Sequence, residues 1–224
     1  MKRMKSSCIP LWLTALGCLV MAWVEAILQP VYGIKTLLKW LVFGSCISLS
    51  VLLTGERTPL SVFHRPSKRA FLPAAGLALA VFAVIWGGYA LLRPWLDLSA
   101  VTRNLTAKEG ITAATFPIVA LYISFINSLL EEVFFRGFAY LSAAPVNRRL
   151  AAVVSSLAFA LYHVCIMGSW FHPVWFLLFT AALALVGLFF NRLDREGTIW
   201  PAWLVHMSAN LALNTIGMRL FGIL

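Results

Sequence analysis

Apolar residues in this chain come in long runs, broken by short polar gaps. Read by run length, the apolar stretches fall at roughly 9–28, 36–53, 70–92, 113–140, 150–168, 173–191 and 198–218. A helix needs about 20 mostly apolar residues to cross a bilayer, and each run comes close to that length or passes it. The fourth run is the longest and carries Pro117 near its start, so it reads as one tilted helix or as a helix kinked at the proline. Residues 93–112 hold a short, poorly defined stretch that leaves an eighth span open. The gap at 54–69 is the main polar loop and is too short to be a domain. No internal repeat or low-complexity tract is visible. The expected fold is an all-α transmembrane helix bundle of about seven spans, or eight. It reads as one integral membrane domain in two regions: a three-span region over 1–112 with no legible role, and a helical core over 113–224.

Composition strengthens this reading. Of 224 residues, 61% are hydrophobic and 12% charged, and the mean hydropathy is +0.88. Soluble chains average about 25% charged residues, so this one has too few to cover a water-soluble core of such apolarity. Four cysteines are too sparse for a disulfide scaffold, and Cys8, Cys18, Cys46 and Cys165 lack metal-site spacing. They read as small apolar side chains.

The formal net charge is +10, from 18 basic and 8 acidic side chains. In a soluble protein this would raise nucleic acid as a partner. Here the basic residues sit between apolar runs, the pattern of cytoplasmic loops beside anionic lipid, and no nucleic-acid partner is expected. A cytoplasmic N-terminus puts eleven inside: Lys2, Arg3, Lys5, Arg57, Arg65, Lys68, Arg69, Arg148, Arg149, Arg192 and Arg195. Six fall outside: Lys35, Lys39, Arg93, Arg103, Lys108 and Arg219. That balance orients the N-terminus inward. The opening residues resemble a signal peptide, with a faint lipoprotein box ending at Cys18. The apolar run continues toward Leu28, which favours an uncleaved first span. Trp12, Trp40, Trp95, Trp170 and Trp200 lie near proposed span ends, as interfacial anchors do.

Ionisable groups inside spans are expensive and usually functional. The fourth run ends with Glu131, Glu132 and Arg136. Glu132 and Arg136 are four residues apart and can pair along one helix face. Glu131 points about 100° away, on a stripe with Ser124, Asn127 and Ser128, and is left without that partner. The arrangement suggests a structural ion pair beside a carboxylate available as a general base. The fifth run places Ser156, Phe159 and His163 on one face. The seventh puts His206, Asn210 and Asn214 on one polar edge. Interhelical hydrogen bonding is the alternative explanation for each of the last two taken alone. Counted along their helices, Glu131, His163 and His206 lie roughly 12–20 Å from the proposed cytoplasmic ends, which points to one shared cavity open to that side. His64 and His172 read as solvated loop residues.

Glu131-Glu132-x-x-x-Arg136, Phe159-x-x-x-His163 and His206-x-x-x-Asn210 together resemble the CPBP family of intramembrane proteases, which includes the CAAX prenyl proteases and bacterial relatives linked to bacteriocin processing or immunity. The resemblance covers about 113–216; the first three spans contribute only hydropathy. It implies that Glu131 activates water together with His163, and that His206 and Asn210 stabilise the oxyanion. It also implies that Glu132 and Arg136 hold the site together, with Phe159 packed nearby.

The expected activity is therefore an intramembrane endopeptidase acting on a membrane-associated or lipid-modified protein or peptide. No cofactor is expected. Zinc on Glu131, His163 and His206 is the alternative, although no His-Glu-x-x-His element is present. Two other functions are weighed: a proton-coupled transporter, and a non-catalytic immunity protein. Spans one, two, three and six show almost no polar residues, which disfavours transport. The expected partners are the bilayer and a membrane-associated substrate. Short loops suit a multi-pass protein of a bacterial cell membrane.

Overall fold

The computed structural model describes residues 8–95, 97–167 and 173–224, except for the side chains of 164–167 and 175. Lys2, Arg3, Lys5, Trp170, His172 and the Cys165 side chain lie outside the described residues. The described chain is helical. Nine helices follow in order: α1 (Ile9–Leu28), α2 (Tyr32–Thr54), α3 (Thr58–Ser61), α4 (Lys68–Leu92), α5 (Ser99–Ala107), α6 (Phe116–Leu141), α7 (Ala144–Met167), α8 (Pro173–Leu193) and α9 (Trp200–Leu220). Stretches in α1, α2, α4, α6 and α8 are long and apolar enough to cross a membrane. Helices α7 and α9, at 24 and 21 residues, complete a set of seven long helices among the described residues. Among the described residues, the stretch that left an eighth span open holds one helix, α5. Its nine residues reach about 14 Å, half of a bilayer core.

Local chemistry sets the helix ends. Pro10, Pro59, Pro117, Pro173 and Pro201 lie in first turns, where the missing N–H is harmless. Helix α6 starts at Phe116, so Pro117 sits in its first turn and produces no kink. Gly55, at φ 69°, closes α2 in the left-handed conformation that glycine adopts freely. Ser67 caps α4 by accepting from the Ala70 amide. The kink in α7 falls at Asn147, whose side-chain oxygen accepts from the Leu150 amide and restarts the helix.

Helix α6 is the centre of the bundle. Half of its apolar window is buried, against 11% for α4, whose flank is largely left to lipid. Helix α7 packs on one side of α6 and α9 on the other; α8 and α1 back α7, and α4 backs α9. Phe134, Phe135 and Phe138 of α6 meet Phe43 of α2 and Phe159 and Tyr162 of α7 in a buried aromatic core. Phe43 and Phe134 stack at 3.7 Å between centroids. Side chains such as Leu52 and Leu79 face outward, 82% and 75% exposed, as lipid-facing positions should.

The two ends of the bundle differ in charge. One carries the loops after α2, α6 and α8, with Arg57, Arg65, Lys68, Arg69, Arg148, Arg149, Arg192 and Arg195. Loops at this end interlock: Glu196 accepts from the Ser67 hydroxyl and amide, and Thr198 donates to the His64 carbonyl. The other end gathers the α1–α2 turn, the segment around α5 and the end of α9, where the Tyr32 amide donates to the Glu109 carbonyl and Phe116 packs on Phe221. It carries Arg93, Arg103, Lys108 and Arg219. Lys35 and Lys39, counted outside from sequence, are instead inside α2 and buried; α2 begins four residues before its apolar run, which takes in Lys35, and Lys39 was already within that run. Trp40 likewise sits two turns into α2 rather than at its end.

Candidate active site

The three motifs come from α6, α7 and α9, and these helices bring them together. Backbone stretches of α6 at Tyr122–Asn127 and Val133–Leu141 adopt wider π-helical turns on either side of Ser128–Glu132. Such bulges recur at functional sites because they re-aim side chains within one helix. Glu131 and Glu132 are 2% and 0% exposed.

Glu131 is held by both of its oxygens. Oε1 accepts from Lys39 Nζ at 3.1 Å and from Asn127 Nδ2 at 2.9 Å. Lys39 also donates to Asn127 Oδ1 at 2.7 Å, closing a three-residue ring. The sequence reading left Glu131 without a cationic partner; Lys39, 92 residues earlier, supplies one. Oε2 faces His163 Nε2 at 3.7 Å and His206 Nε2 at 3.6 Å. Both separations are too long for a direct hydrogen bond.

The far nitrogens of the two imidazoles fix their tautomers. His163 Nδ1 lies 2.8 Å from the Phe159 carbonyl, an acceptor, so it carries the proton. His206 Nδ1 lies 2.7 Å from Glu132 Oε1 and is likewise the donor. In their neutral forms, both rings turn a bare Nε2 toward Glu131 Oε2. The gap between these atoms suits one water molecule, hydrogen-bonded to a carboxylate and an imidazole at once.

Glu132 and Arg136 form the expected ion pair, at 3.3 Å and fully buried. Glu132 has a second task that spacing did not reveal, because it orients His206 from a different helix. The Arg136 guanidinium sits 4.2 Å over the Phe159 ring and 4.9 Å over the Phe190 ring. Phe159 thus supports the site from both sides, under Arg136 and edge-on to His206. Asp194, just past α8, joins this layer. It is fully buried, interacts with Arg136 and Glu132, and accepts from the Ala202 amide at the start of α9. Burial, with Glu132 adding to it, pushes the Asp194 carboxyl well above the usual carboxylate range.

Asn210 lines the same cavity and gives one amide hydrogen to the Ile123 carbonyl at 3.2 Å. Its second amide hydrogen is available to a ligand. Asn214 bonds the Ala120 carbonyl and Ser124 Oγ, so its role is interhelical. Ser128 Oγ donates to the Ser124 carbonyl and accepts from Trp203, again a packing role. His64 stays in the exposed loop.

A cavity of about 200 Å³ joins Glu131, His163, His206 and Asn210. Its direction departs from expectation. It runs toward the end that carries Glu25, Lys35 and Glu109, away from the basic loops. Counting residues along single helices could not show this, because depth along a helix does not say from which side that depth is reached. At the rim, Lys35 Nζ bridges Glu25 Oε2 and Glu109 Oε1 at 2.6 Å each, tying α1, α2 and the segment after α5 together.

Residues 113–212 match the family model described as Type II CAAX prenyl endopeptidase Rce1-like. The matched segment holds all three motifs and the helices that converge on Glu131. Over that segment, a little under half of the chain, the resemblance drawn from the motifs is borne out, and it supports a CAAX-type intramembrane protease in general. Searches of curated proteins and of solved structures returned no match.

Proposed function

We propose that the protein is an intramembrane endopeptidase of the glutamate type, cutting a membrane-associated or lipid-modified polypeptide in a bacterial cell membrane. The observation that carries this reading is the convergence of Glu131 Oε2 with two imidazoles whose far nitrogens are already committed.

A water in that gap donates one hydrogen to His163 Nε2 and the other to Glu131 Oε2. Its remaining lone pair is then free to attack the scissile carbonyl. Glu131 takes the proton as the carbon–oxygen bond forms, and passes it to the departing amine as the carbon–nitrogen bond breaks. The oxyanion is met by the second amide hydrogen of Asn210 and by His206. Since Nδ1–H of His206 is committed to Glu132, His206 must be an imidazolium to donate from Nε2. The carboxylates on either side suit that charge. Donors already in place at the developing oxyanion are worth about 10²–10³ in rate.

Zinc is the second reading. A carboxylate with two imidazoles is a sound zinc donor set. Among the described residues no group of three His, Cys, Asp or Glu side chains is arranged to hold an ion. The Lys39 ammonium, 3.1 Å from Glu131, also puts a positive charge where zinc would need none. A metal-free mechanism is therefore preferred.

The test is cleavage of a co-expressed membrane-anchored candidate substrate. Glu131→Gln keeps shape and hydrogen bonding but removes the base, and is expected to lower cleavage at least about 10³-fold in a protein that still purifies as a folded species. Retained cleavage would sink the proposal. Stoichiometric zinc in purified protein, with activity lost to a chelator, would replace it with the metal mechanism.

A further inference from the structure

The side from which substrate arrives bears on what the substrate is. Among the described residues, those lining the catalytic cavity beyond the motifs come from one end of the bundle. They include Glu25 at the end of α1, Tyr32 and Lys35 at the start of α2, and Leu105, Glu109 and Ile111 in and after α5. None comes from the loops at 55–67, 142–149 or 194–199 that form the opposite end.

Charge orients these two ends. The end away from the cavity carries the eight loop arginines and lysines named above; the cavity end carries four. Of those four, Arg103 pairs with Asp97. Lys35 does not add to that end's loop charge, since it is buried between Glu25 and Glu109. Short loops rich in lysine and arginine stay in the cytoplasm.

We infer that the catalytic cavity is entered from the non-cytoplasmic side of the membrane, and that its substrate is an exported polypeptide held by a membrane segment, with its scissile bond near that surface. This rests on the proposed protease reading and narrows it. Translocation or membrane insertion must precede the cut, and the released part of the product leaves on the outer side. A cytoplasmic protein tethered by a lipid on the inner face does not reach the cavity mouth.

The experiment reads direction without requiring catalysis. In a full-length variant with all four cysteines replaced, a single cysteine is placed at the mouth by Leu105→Cys or on the basic end by Arg149→Cys. Sealed right-side-out and inverted membrane vesicles are treated with a charged, membrane-impermeant maleimide. Leu105→Cys is expected to react at least about tenfold faster in right-side-out vesicles, and Arg149→Cys in inverted ones. Ser99→Cys, exposed at the start of α5, reports the same end if the mouth position is slow or folds poorly. Reaction of Leu105→Cys or Ser99→Cys chiefly in inverted vesicles, or equally in both, overturns the inference. If that happens while Glu131→Gln still abolishes cleavage, the protease stands and only its access side is wrong. If labelling is as expected but Glu131→Gln still cleaves, the orientation stands and the catalytic reading falls.

Discussion

Two carboxylates side by side on α6 do different work because different helices meet them. Glu131 is neutralised by Lys39 from α2 and turns its other oxygen to the imidazoles. Glu132 is neutralised by Arg136 and orients His206. The distinction can be tested. Lys39→Met leaves Glu131 buried with only Asn127 on Oε1, and is expected to lower cleavage about 10–100-fold, with Lys39→Arg recovering part of the loss. A fall in kcat with little change in KM would mark a positioning role; unchanged kinetics would show that the contact is idle. Arg136→Met strands Glu132 in the core, and removing one member of a buried ion pair destabilises by about 3–5 kcal/mol. Its thermal unfolding in detergent should drop well below that of Glu131→Gln. The site residues of 113–212 were legible because ionisable groups stand out in apolar runs. Lys39 was equally conspicuous in principle: Lys35 and Lys39 lie four residues apart, on one face. Counting both among the outside charges hid this: Lys35 precedes the apolar run at 36–53, but Lys39 lies within it. Asp194 carried no signal, since its burial depends on how α8 and α9 close over Arg136.

At the level of elements, hydropathy placed the seven long helices, with α7 beginning six residues before its apolar run and the other described ends falling within about four residues, since bilayer thickness leaves little freedom in length. The packing between them was not legible. Gly187 of α8 lies against Ser156 of α7, where an added Cβ would be 2.9 Å from the serine Cα. Gly187→Ala must push the two helices apart, with an expected loss of about 1–3 kcal/mol, read as a lower melting temperature. The interlocked loops at the basic end give a pH test. The amide and hydroxyl of Ser67 hold the Glu196 carboxyl below the usual carboxylate range. With its pKa lowered by folding, this tie is in place above the ordinary carboxylate value of about 4.3 and is lost as pH falls through the lowered one. Protection of the Ser67 amide against hydrogen exchange, taken relative to its intrinsic rate at each pH, should fall only under that acidification in the native protein, and should be low at all pH values in Glu196→Ala.

For the whole molecule, the three motifs pointed correctly to one shared cavity, and the direction in which it opens is what the sequence reading had reversed. Depth along each helix gives a level in the membrane but not the side from which that level is reached. The side follows from which residues line the cavity, and these come from the α1–α2 turn and the segment around α5. The N-terminal region, which had no legible role from sequence, contributes Met21, Glu25, Tyr32, Lys35 and Lys39 to the cavity wall. The family match begins only at residue 113. Replacing the α1–α2 pair with that of another protein, the rest of the chain unchanged, should therefore lose activity even if the bundle assembles.

The widened turns of α6 carry a consequence for insertions and deletions. A π-helical turn spends about one more residue than an α-helical turn on nearly the same rotation, so the stretch at 122–127 holds one residue in reserve. Removing one residue there, for example Ile126, is expected to restore ordinary winding while Glu131 and Glu132 keep their facing. A single deletion in an ordinary α-helical stretch instead turns everything beyond it by about 100°. The α6 segment before Ser128 thus absorbs a change of length that the rest of the helix would pass on to both carboxylates.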